Sequence, residues 1–304
     1  MIYTVTLNPA IDCLLTVDAL QPGHIHRSRE EQVVWGGKGI NVSQTLQSLG
    51  VPSVALGFAA GFTGQALRQG LEAEGLATDF IQLAAGLTRI NVKIRAAEET
   101  DVNAAGPVIS EEERQALLEK MDALQAGDWL VMSGSIPPSL PKTMYAELLQ
   151  RVQGRGVISA VDTAGEALRQ TLPLQPFLIK PNRQELEELF GESIRTEEDV
   201  VRYARRMQQE GARHILVSMG AQGALLCEED GTVHRIGTLK GTVVHTSGAG
   251  DAMLAGFLAG YQATGDTAYA LRLGTAAGAA AAFSAGTPSG CQIRALLAQA
   301  EADL

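Results

Sequence analysis

The residues with the clearest chemical potential form one short stretch, residues 246–251 (TSGAGD), which leads into an apolar helical run. Small residues at a helix start leave backbone N–H groups uncovered, and the helix dipole favours an anion there. The carboxylate of Asp251 beside such a cradle could take a proton from a hydroxyl that attacks a phosphoryl group. Asp251 could equally serve only to satisfy the helix start, and the hexapeptide alone leaves the two interpretations even.

A second glycine-rich cluster lies near the N-terminus, where residues 36–42 read GGKGINV. Glycines let a ligand approach the backbone closely, Lys38 supplies a positive charge, and Asn41 can bond a hydroxyl. The spacing excludes both a P-loop and a dinucleotide fingerprint. Taken alone, the cluster is more typical of a tight turn into a helix.

Other polar residues follow predicted strands, at the edge where α/β sheets bind ligands. Asn8 and Asp12 flank the end of the first strand, and Ser135 lies in a loop after a buried strand. Arg89 and Lys93 are separated by an even number of residues, so both could project from one face of a hairpin. Turn residues and an exposed row of charges are the structural alternatives.

Two further segments have both a structural and a functional interpretation. In residues 180–185 (KPNRQE), Asn182 can cap the next helix and Glu185 can complete a capping box. The same two side chains could order waters on a magnesium ion, which takes few protein ligands directly. Residues 218–223 (SMGAQG) suit the phosphates or ribose of a nucleotide, or simply form a hairpin turn.

Composition limits the classes of partner. The formal net charge of −10 argues against nucleic-acid or anionic-membrane surfaces, so an anionic ligand must meet a few concentrated basic residues. Three distant cysteines without metal or disulfide spacing, and the absence of a signal-peptide pattern, indicate a cytoplasmic globule. The five histidines show no ligand spacing.

These residues must be positioned by an α/β framework. Short apolar runs such as residues 2–7 and 53–58 alternate with helical patterns such as 40–49 and 64–74, which predicts a mostly parallel sheet. Strands at 13–17 and 31–35 and a hairpin at 88–104 interrupt the alternation. They predict a second, small β layer that could act as a lid. No repeat or linker divides residues 1–304, so we expect one domain with lid strands inserted at about 11–35 and 88–106.

Taken together, residues 36–42, 180–185 and 248–251 resemble the signatures of the ribokinase-like carbohydrate kinases, the PfkB family. The resemblance covers essentially the whole chain. It implies a three-layer α/β/α fold with a mostly parallel central sheet and a small β-sheet lid. Residues 4–12 (TVTLNPAID), 88–93 (TRINVK) and 99–103 (ETDVN) are most similar to the 1-phosphofructokinases.

The resemblance implies ATP-dependent phosphorylation of fructose 1-phosphate. Asp251 would be the general base, with the backbone of Gly248, Ala249 and Gly250 holding the developing charge. The implied sugar-phosphate residues are Asp12, Gly36, Gly37, Lys38, Asn41, Arg89 and Ser135. Those implied for ATP and magnesium are Lys180, Asn182, Glu185, Ser218, Gly220 and Gly223, with Glu185 reaching Mg²⁺ through water. Lids of this family often pair, which implies a homodimer.

Three alternatives stay open at this point. The first is a kinase for tagatose 6-phosphate or fructose 6-phosphate, and the second is a kinase for an unphosphorylated sugar. The third, from another class, is a catalytically silent sugar-phosphate sensor. One departure from the family pattern is His245, which stands where relatives carry Asn or Asp and argues against activation by a monovalent cation.

Overall fold

The computed structural model describes residues 1–302. Its strands are β1 (Ile2–Thr6), β2 (Ala10–Thr16), β3 (Glu30–Gly36), β4 (Ser53–Ala60), β5 (Ala77–Leu83), β6 (Arg89–Arg95), β7 (Glu99–Val102), β8 (Trp129–Ser133), β9 (Ile158–Asp162), β10 (Leu178–Ile179), β11 (His214–Ser218), β12 (Ala224–Cys227) and β13 (Val233–Ile236). Its α-helices are α1 (Lys38–Ser48), α2 (Gly61–Ala73), α3 (Glu111–Lys120), α4 (Met144–Val152), α5 (Gly165–Arg169), α6 (Arg183–Phe190), α7 (Glu197–Gln209), α8 (Ala249–Thr264), α9 (Thr267–Ala282) and α10 (Gly290–Ala302).

The larger sheet has nine strands in the order β13-β12-β11-β10-β9-β8-β1-β4-β5. Its strands from β11 through to β5 pair in parallel, and β12 and β13 extend it as an antiparallel edge. Helices α1, α8, α9 and α10 build the apolar core on one face, and α3 to α7 build it on the other. The predicted three-layer arrangement with a mostly parallel sheet is confirmed. Because the strands are parallel, their carboxyl ends meet at one edge.

Helices α8 and α9 are packed closely enough for glycine to be required at their crossing. A Cβ atom on Gly256 would lie 2.6 Å from the carbonyl oxygen of Leu273, and one on Gly274 would lie 2.8 Å from that of Met253. Such distances are well inside van der Waals contact, so larger side chains would separate the helices. The crossing therefore fixes the position of α8, which begins at the glycine-rich hexapeptide.

The smaller sheet has four strands in the order β3-β2-β6-β7. Strands β2 and β6 are parallel, and the other pairs are antiparallel. The indole of Trp35 packs directly against α2 at Gly70. A Cβ atom on this glycine would lie 2.1 Å from the ring, so the contact requires glycine there. The predicted second β layer, including the hairpin, is confirmed. We call it the small sheet.

Element boundaries agree to different degrees with the sequence. Helical periodicity predicts helices at residues 183–190 and 197–209, and these ranges match α6 and α7, whose starts carry capping boxes. The apolar pattern also predicts a strand at residues 80–83, whereas β5 begins three residues earlier, at Ala77. Strand β13 and the short helix α5 are not predicted, because neither shows a clear period of its own. All three cysteines are free thiols, as expected.

The Ala-rich run of residues 275–283 lies mostly within α9, a largely buried helix of the core. Within the part of the chain that the structure describes, none of the helices combines the length and apolar character that crossing a bilayer requires.

Candidate active site

A cavity of about 780 Å³ lies between the carboxyl edge of the larger sheet, the small sheet and the start of α8. It collects most of the residues singled out from the sequence. Those that line it are Asp12, Gly37, Lys38, Asn41, Arg89, Lys180, Asn182, Glu185, Ser218, Gly220, Gly223, Gly248, Ala249, Gly250 and Asp251. Their separation along the chain is large, so the fold and not local sequence brings them together. We call this space the main cavity.

Of the residues that the resemblance implies for the sugar phosphate, Gly36 and Ser135 lie outside the main cavity. Gly36 instead supports Asp12, since a Cβ at this position would lie 3.1 Å from the Cγ of that carboxylate. Ser135 lines a neighbouring space of about 520 Å³, which we call the side chamber. Lys38 and Arg89 line both spaces. The side chamber therefore opens beside the same cations that face the main cavity.

The start of α8 forms an uncapped, cationic corner of the main cavity. Gly248 is the N-cap in a left-handed conformation, with φ of 79°, and no side chain caps the helix. The amide of Ala249 makes a long bond of 3.3 Å to the carbonyl oxygen of Thr246, whereas the next two amides, of Gly250 and Asp251, are available to a ligand. The helix dipole favours an anion there. A Cβ on Gly250 would lie 3.1 Å from the Lys180 ammonium, so this lysine sits directly against the turn. The corner suits a phosphoryl group.

Asp251 lies in that first turn with a side chain that is 5% exposed. Its Oδ2 accepts a hydrogen bond of 2.7 Å from Nδ2 of Asn41, which is a side chain of α1. Burial, together with the charge of Asp162, raises the pKa of Asp251 to about 6. The Asn41 hydrogen bond and the charges of Lys38 and Lys180 oppose that rise. Asp251 is therefore a carboxylate at neutral pH with an affinity for protons well above that of an exposed aspartate.

Asp162 is a site residue that the sequence reasoning missed. Its side chain is fully buried at the end of β9, with the ammonium of Lys38 at 3.5 Å and that of Lys180 at 3.3 Å. The second distance is that of an ion pair without hydrogen-bond geometry. Burial alone would lower the pKa of Lys38, but Asp162, Asp251 and Glu185 together raise it. The available signal in the sequence was a carboxylate directly after residues 157–161 (VISAV), a short apolar run that predicts a strand.

The small sheet supplies the opposite wall. Asp12 accepts a 2.8 Å hydrogen bond from Nδ2 of Asn91 and pairs with the Lys93 ammonium at 2.8 Å. Arg89 donates from Nε to the carbonyl oxygen of Asn8 at 3.2 Å. Burial lowers the pKa of Arg89, and the charge of Asp12 opposes this change. The Lys93 ammonium is therefore paired with Asp12, whereas Arg89 lines both the main cavity and the side chamber.

Asn182 and Glu185 form the predicted capping box at the start of α6. Oδ1 of Asn182 accepts from the Glu185 amide at 2.8 Å, and Oε2 of Glu185 accepts from the Asn182 amide at 2.8 Å. The box does not use Oε1 of Glu185 or the side-chain Nδ2 of Asn182, and both residues line the main cavity. Across residues 1–302, no cluster of three or more acidic, histidine or cysteine side chains is placed to hold a metal directly.

The far end of the main cavity is glycine-rich and apolar. The loop between β11 and β12 turns at Gly223, where φ is 89° and a Cβ would lie 2.0 Å from the carbonyl oxygen of Ile236. The hairpin-turn interpretation of this loop is therefore correct, and the loop also lines the cavity. Leu239, Val243 and Phe283 add an apolar wall that the sequence did not predict. Such a wall suits a flat aromatic ring.

Comparison with known proteins agrees with this geometry. The model of the pfkB family carbohydrate kinases matches residues 4–293. The chain is 43% identical over 284 residues to a 1-phosphofructokinase of Bacillus subtilis, with 93% of each chain covered. It is 37% identical to a D-tagatose-1-phosphate kinase of Bacillus licheniformis, with 94% of each covered. The structure of phosphofructokinase-2 from Escherichia coli in complex with fructose-6-phosphate superposes with a TM-score of 0.91 at 28% identity, with 99% of each covered.

The raised pKa of Asp251 predicts a pH-dependent gain in stability for Asp251→Asn. An aspartate whose pKa rises from about 4 when unfolded to about 6 when folded is destabilising once it must ionise. The stability that the protonated side chain contributes is fully present below pH 4, the unfolded pKa, and is lost as pH rises through the folded pKa of about 6. We therefore expect urea unfolding to show Asp251→Asn as more stable than the natural chain by roughly 3 kcal/mol at pH 8.

The gain should disappear towards pH 4, where the natural aspartate is protonated in both states. Asp122→Asn is the matched control, because Asp122 is half exposed and pairs with Arg151 at the surface. Its exchange should leave the free energy of unfolding nearly unchanged at both pH values, because an exposed ion pair contributes little to stability. A gain for Asp251→Asn that is equal at both pH values would contradict the assigned pKa.

Proposed function

The chain belongs to the pfkB family of carbohydrate kinases and is therefore a phosphotransferase with an alcohol acceptor. From that premise we propose that it transfers the γ-phosphoryl group of ATP to the free primary hydroxyl of D-fructose 1-phosphate. The products are D-fructose 1,6-bisphosphate and ADP. The observation that carries the proposal is the buried carboxylate of Asp251 at an uncapped helix start, inside one cavity with Lys38 and Arg89.

Asp251 is the general base in this reaction. Its pKa of about 6 leaves it ionised at neutral pH yet basic enough to take the proton of the acceptor hydroxyl as the oxygen attacks the γ-phosphorus. The bond to the leaving ADP oxygen breaks as the new bond forms. The amides of Gly248, Ala249 and Gly250 stabilise the charge that develops on the transferred group, and each such donor contributes about 3 kcal/mol in comparable sites.

The small sheet and α1 orient the acceptor. The Asp12 carboxylate is held by Asn91 and Lys93, and it accepts hydrogen bonds from the sugar hydroxyls. Lys38 and Arg89 bind the phosphate that the acceptor already carries. Because both cations also line the side chamber, this phosphate is directed towards Ser135 and away from the base.

The opposite end of the cavity takes the nucleotide. Lys180 lies against the first turn of α8, where it neutralises the phosphates, and the backbone at Gly220 and Gly223 allows their close approach. The apolar wall beyond them packs against the purine, and Ser218 bonds the polar groups of the nucleotide.

The residues present fit a magnesium ion that keeps most of its waters. The capping box occupies one oxygen of Glu185 and leaves the other at the cavity, and no cluster of three or more ligands occurs among residues 1–302. One carboxylate, reaching the ion through water, with Asn182 beside it, matches the way that Mg²⁺ binds together with substrate phosphates. When bound, the ion neutralises charge on the nucleotide phosphates.

The acceptor is tested by ADP release with fructose 1-phosphate, tagatose 1-phosphate, the two corresponding 6-phosphates and free fructose. Both curated relatives are named for 1-phosphates, and the one named for fructose is the more similar, so we expect the highest kcat/KM with fructose 1-phosphate. Equal or better turnover of a 6-phosphate would reject the proposed acceptor. Binding of all five sugars without any turnover would indicate a sensor.

Arg89→Met provides a matched test of the phosphate contact. Loss of a charge-assisted contact should raise KM for fructose 1-phosphate at least tenfold, while free fructose should be affected little. Arg95→Met on the same strand is the control, since Arg95 pairs with Glu99 outside the main cavity.

The base is tested with Asp251→Asn. Removal of a general base should lower kcat for ADP release by roughly 10³-fold, with fructose 1-phosphate binding by calorimetry largely retained. In the natural enzyme, turnover should fall as pH drops below about 6, because Asp251 then binds a proton. Asp122→Asn should turn over normally. An active Asp251→Asn variant would exclude this residue as the base.

We also propose a homodimer through the small sheet. Cys13, Val33, Val92 and Val102 form one row across its four strands, on the face opposite Asp12. Val33 and Val102 are more than half exposed. An apolar sheet face is self-complementary under two-fold symmetry, so a second copy of the same chain can cover it.

Light scattering after size exclusion tests the dimer. The double exchange of Val33 and Val102 to Lys should halve the molar mass of the particle. Val108→Lys is the control, because Val108 is exposed outside the sheet and its exchange should leave the dimer intact. A monomeric natural chain would reject the proposal.

A further inference from the structure

We propose that Asn41 is a positioning residue for the reaction: it orients the Asp251 carboxylate and keeps it in the anionic form that accepts the proton. Sequence reasoning gave Asn41 a role only towards the sugar. Its Nδ2 atom donates a 2.7 Å hydrogen bond to Oδ2 of Asp251, between residues 210 positions apart in the chain. The inference rests on the proposed function, in which Asp251 is the base.

The hydrogen bond from Asn41 makes the two carboxylate oxygens of Asp251 different from each other. Oδ2 is occupied by Asn41, and no other side chain in residues 1–302 donates a hydrogen bond to this carboxylate. A bond of 2.7 Å is short for an N–H···O contact and restrains the position of this oxygen. Oδ1 is then left for the hydroxyl of the acceptor. Asn41 has a second N–H on the same nitrogen, which leaves it able to contact the sugar as well.

The charged groups that face Asp251 come from three other segments. Asp162 on β9 raises the pKa of Asp251, while Lys38 on α1 and Lys180 after β10 lower it. Both ammonium groups also pair with Asp162, at 3.5 and 3.3 Å, so their charge is divided between two carboxylates. Asn41 differs from them because its side-chain hydrogen bond goes to Asp251 alone.

The support behind Asn41 is rigid. The first turn of α1 presses on β1, since a Cβ on Gly39 would lie 2.5 Å from the Thr6 hydroxyl and 2.9 Å from the Val5 carbonyl oxygen. The amide of Asn41 bonds the carbonyl oxygen of Gly37 at 2.9 Å, which continues the helix from the turn. Helix α1 therefore holds Asn41 in place, and through it the acceptor side of the cavity is tied to the base on α8.

Direct titration of Asp251 tests the inference without any substrate. In chains labelled with ¹³C at the aspartate carboxyls, the Asp251 signal is identified by its absence from Asp251→Asn. Asn41→Ala should raise the pKa of Asp251 by at least about one pH unit, because a hydrogen bond to the charged form is lost. Asn41→Asp has nearly the same shape but adds a like charge, so it should raise the pKa further.

Ser43→Ala is the matched control on the same helix. Ser43 is buried and bonds the hydroxyls of Thr4 and Ser53, with no contact to Asp251. It should leave the pKa of Asp251 unchanged. If either Asn41 variant leaves that pKa unchanged, or if Ser43→Ala shifts it equally, the proposed role of Asn41 is wrong.

Kinetics supply a second readout. The acid limb of kcat/KM, which reports the free enzyme, should move to higher pH in Asn41→Ala by the shift measured in the titration, with a fall in kcat at neutral pH. A role confined to sugar binding would raise KM and leave the acid limb in place, which would overturn the inference. The titration also separates the two proposals. It measures the effect of Asn41 on the pKa of Asp251 without substrate, so its result does not depend on whether the chain phosphorylates fructose 1-phosphate.

Discussion

The site depends on one buried arrangement of charge, in which Asp162 faces Lys38 and Lys180 beneath the start of α8. Charges removed from water are costly unless each meets an opposite charge or a donor. Asp162 allows the two ammonium groups to lie close together without exposing them fully to water. The same carboxylate raises the proton affinity of Asp251. The positive charge beside the start of α8 and the raised proton affinity of Asp251 therefore have a common source.

This arrangement explains why the fold matters to the chemistry. Lys180, Asp162 and Ser218 follow or end neighbouring parallel strands, so the larger sheet aligns them at one edge. Asp251 does not belong to the sheet. It lies at the start of α8, a helix whose position is set by glycines at its crossing with α9. Side chains larger than glycine at that crossing would move the start of α8 relative to the strands. The position of Asp251 is thus sensitive to packing within the next two turns of α8.

The sequence predicted the framework and most of the cavity, and its failures have physical reasons. Hydrophobic periodicity and capping signals located the alternating elements, and glycine clusters located the two ends of the site. Asp162 was missed because a single carboxylate after a strand looks like any solvated turn residue. Its meaning comes from two lysines distant in the chain. Gly36 and Ser135 were assigned to one pocket because sequence cannot show where one cavity ends and the next begins. Likewise, nothing in a linear pattern pairs Asn41 with Asp251.

The division between the main cavity and the side chamber bears on how the acceptor is chosen. Lys38 and Arg89 line both spaces. Asp251 lines the main cavity and does not line the side chamber. Under the proposed function, a ketohexose phosphate that places its anionic end towards the side chamber brings its other end to Asp251. Which carbon carries the phosphate would then depend on the distance between Arg89 on the small sheet and Asp251 on α8. On this proposal, acceptor choice is set by how the small sheet meets the larger one, whereas Asp251 and its surroundings suit any primary hydroxyl delivered to them.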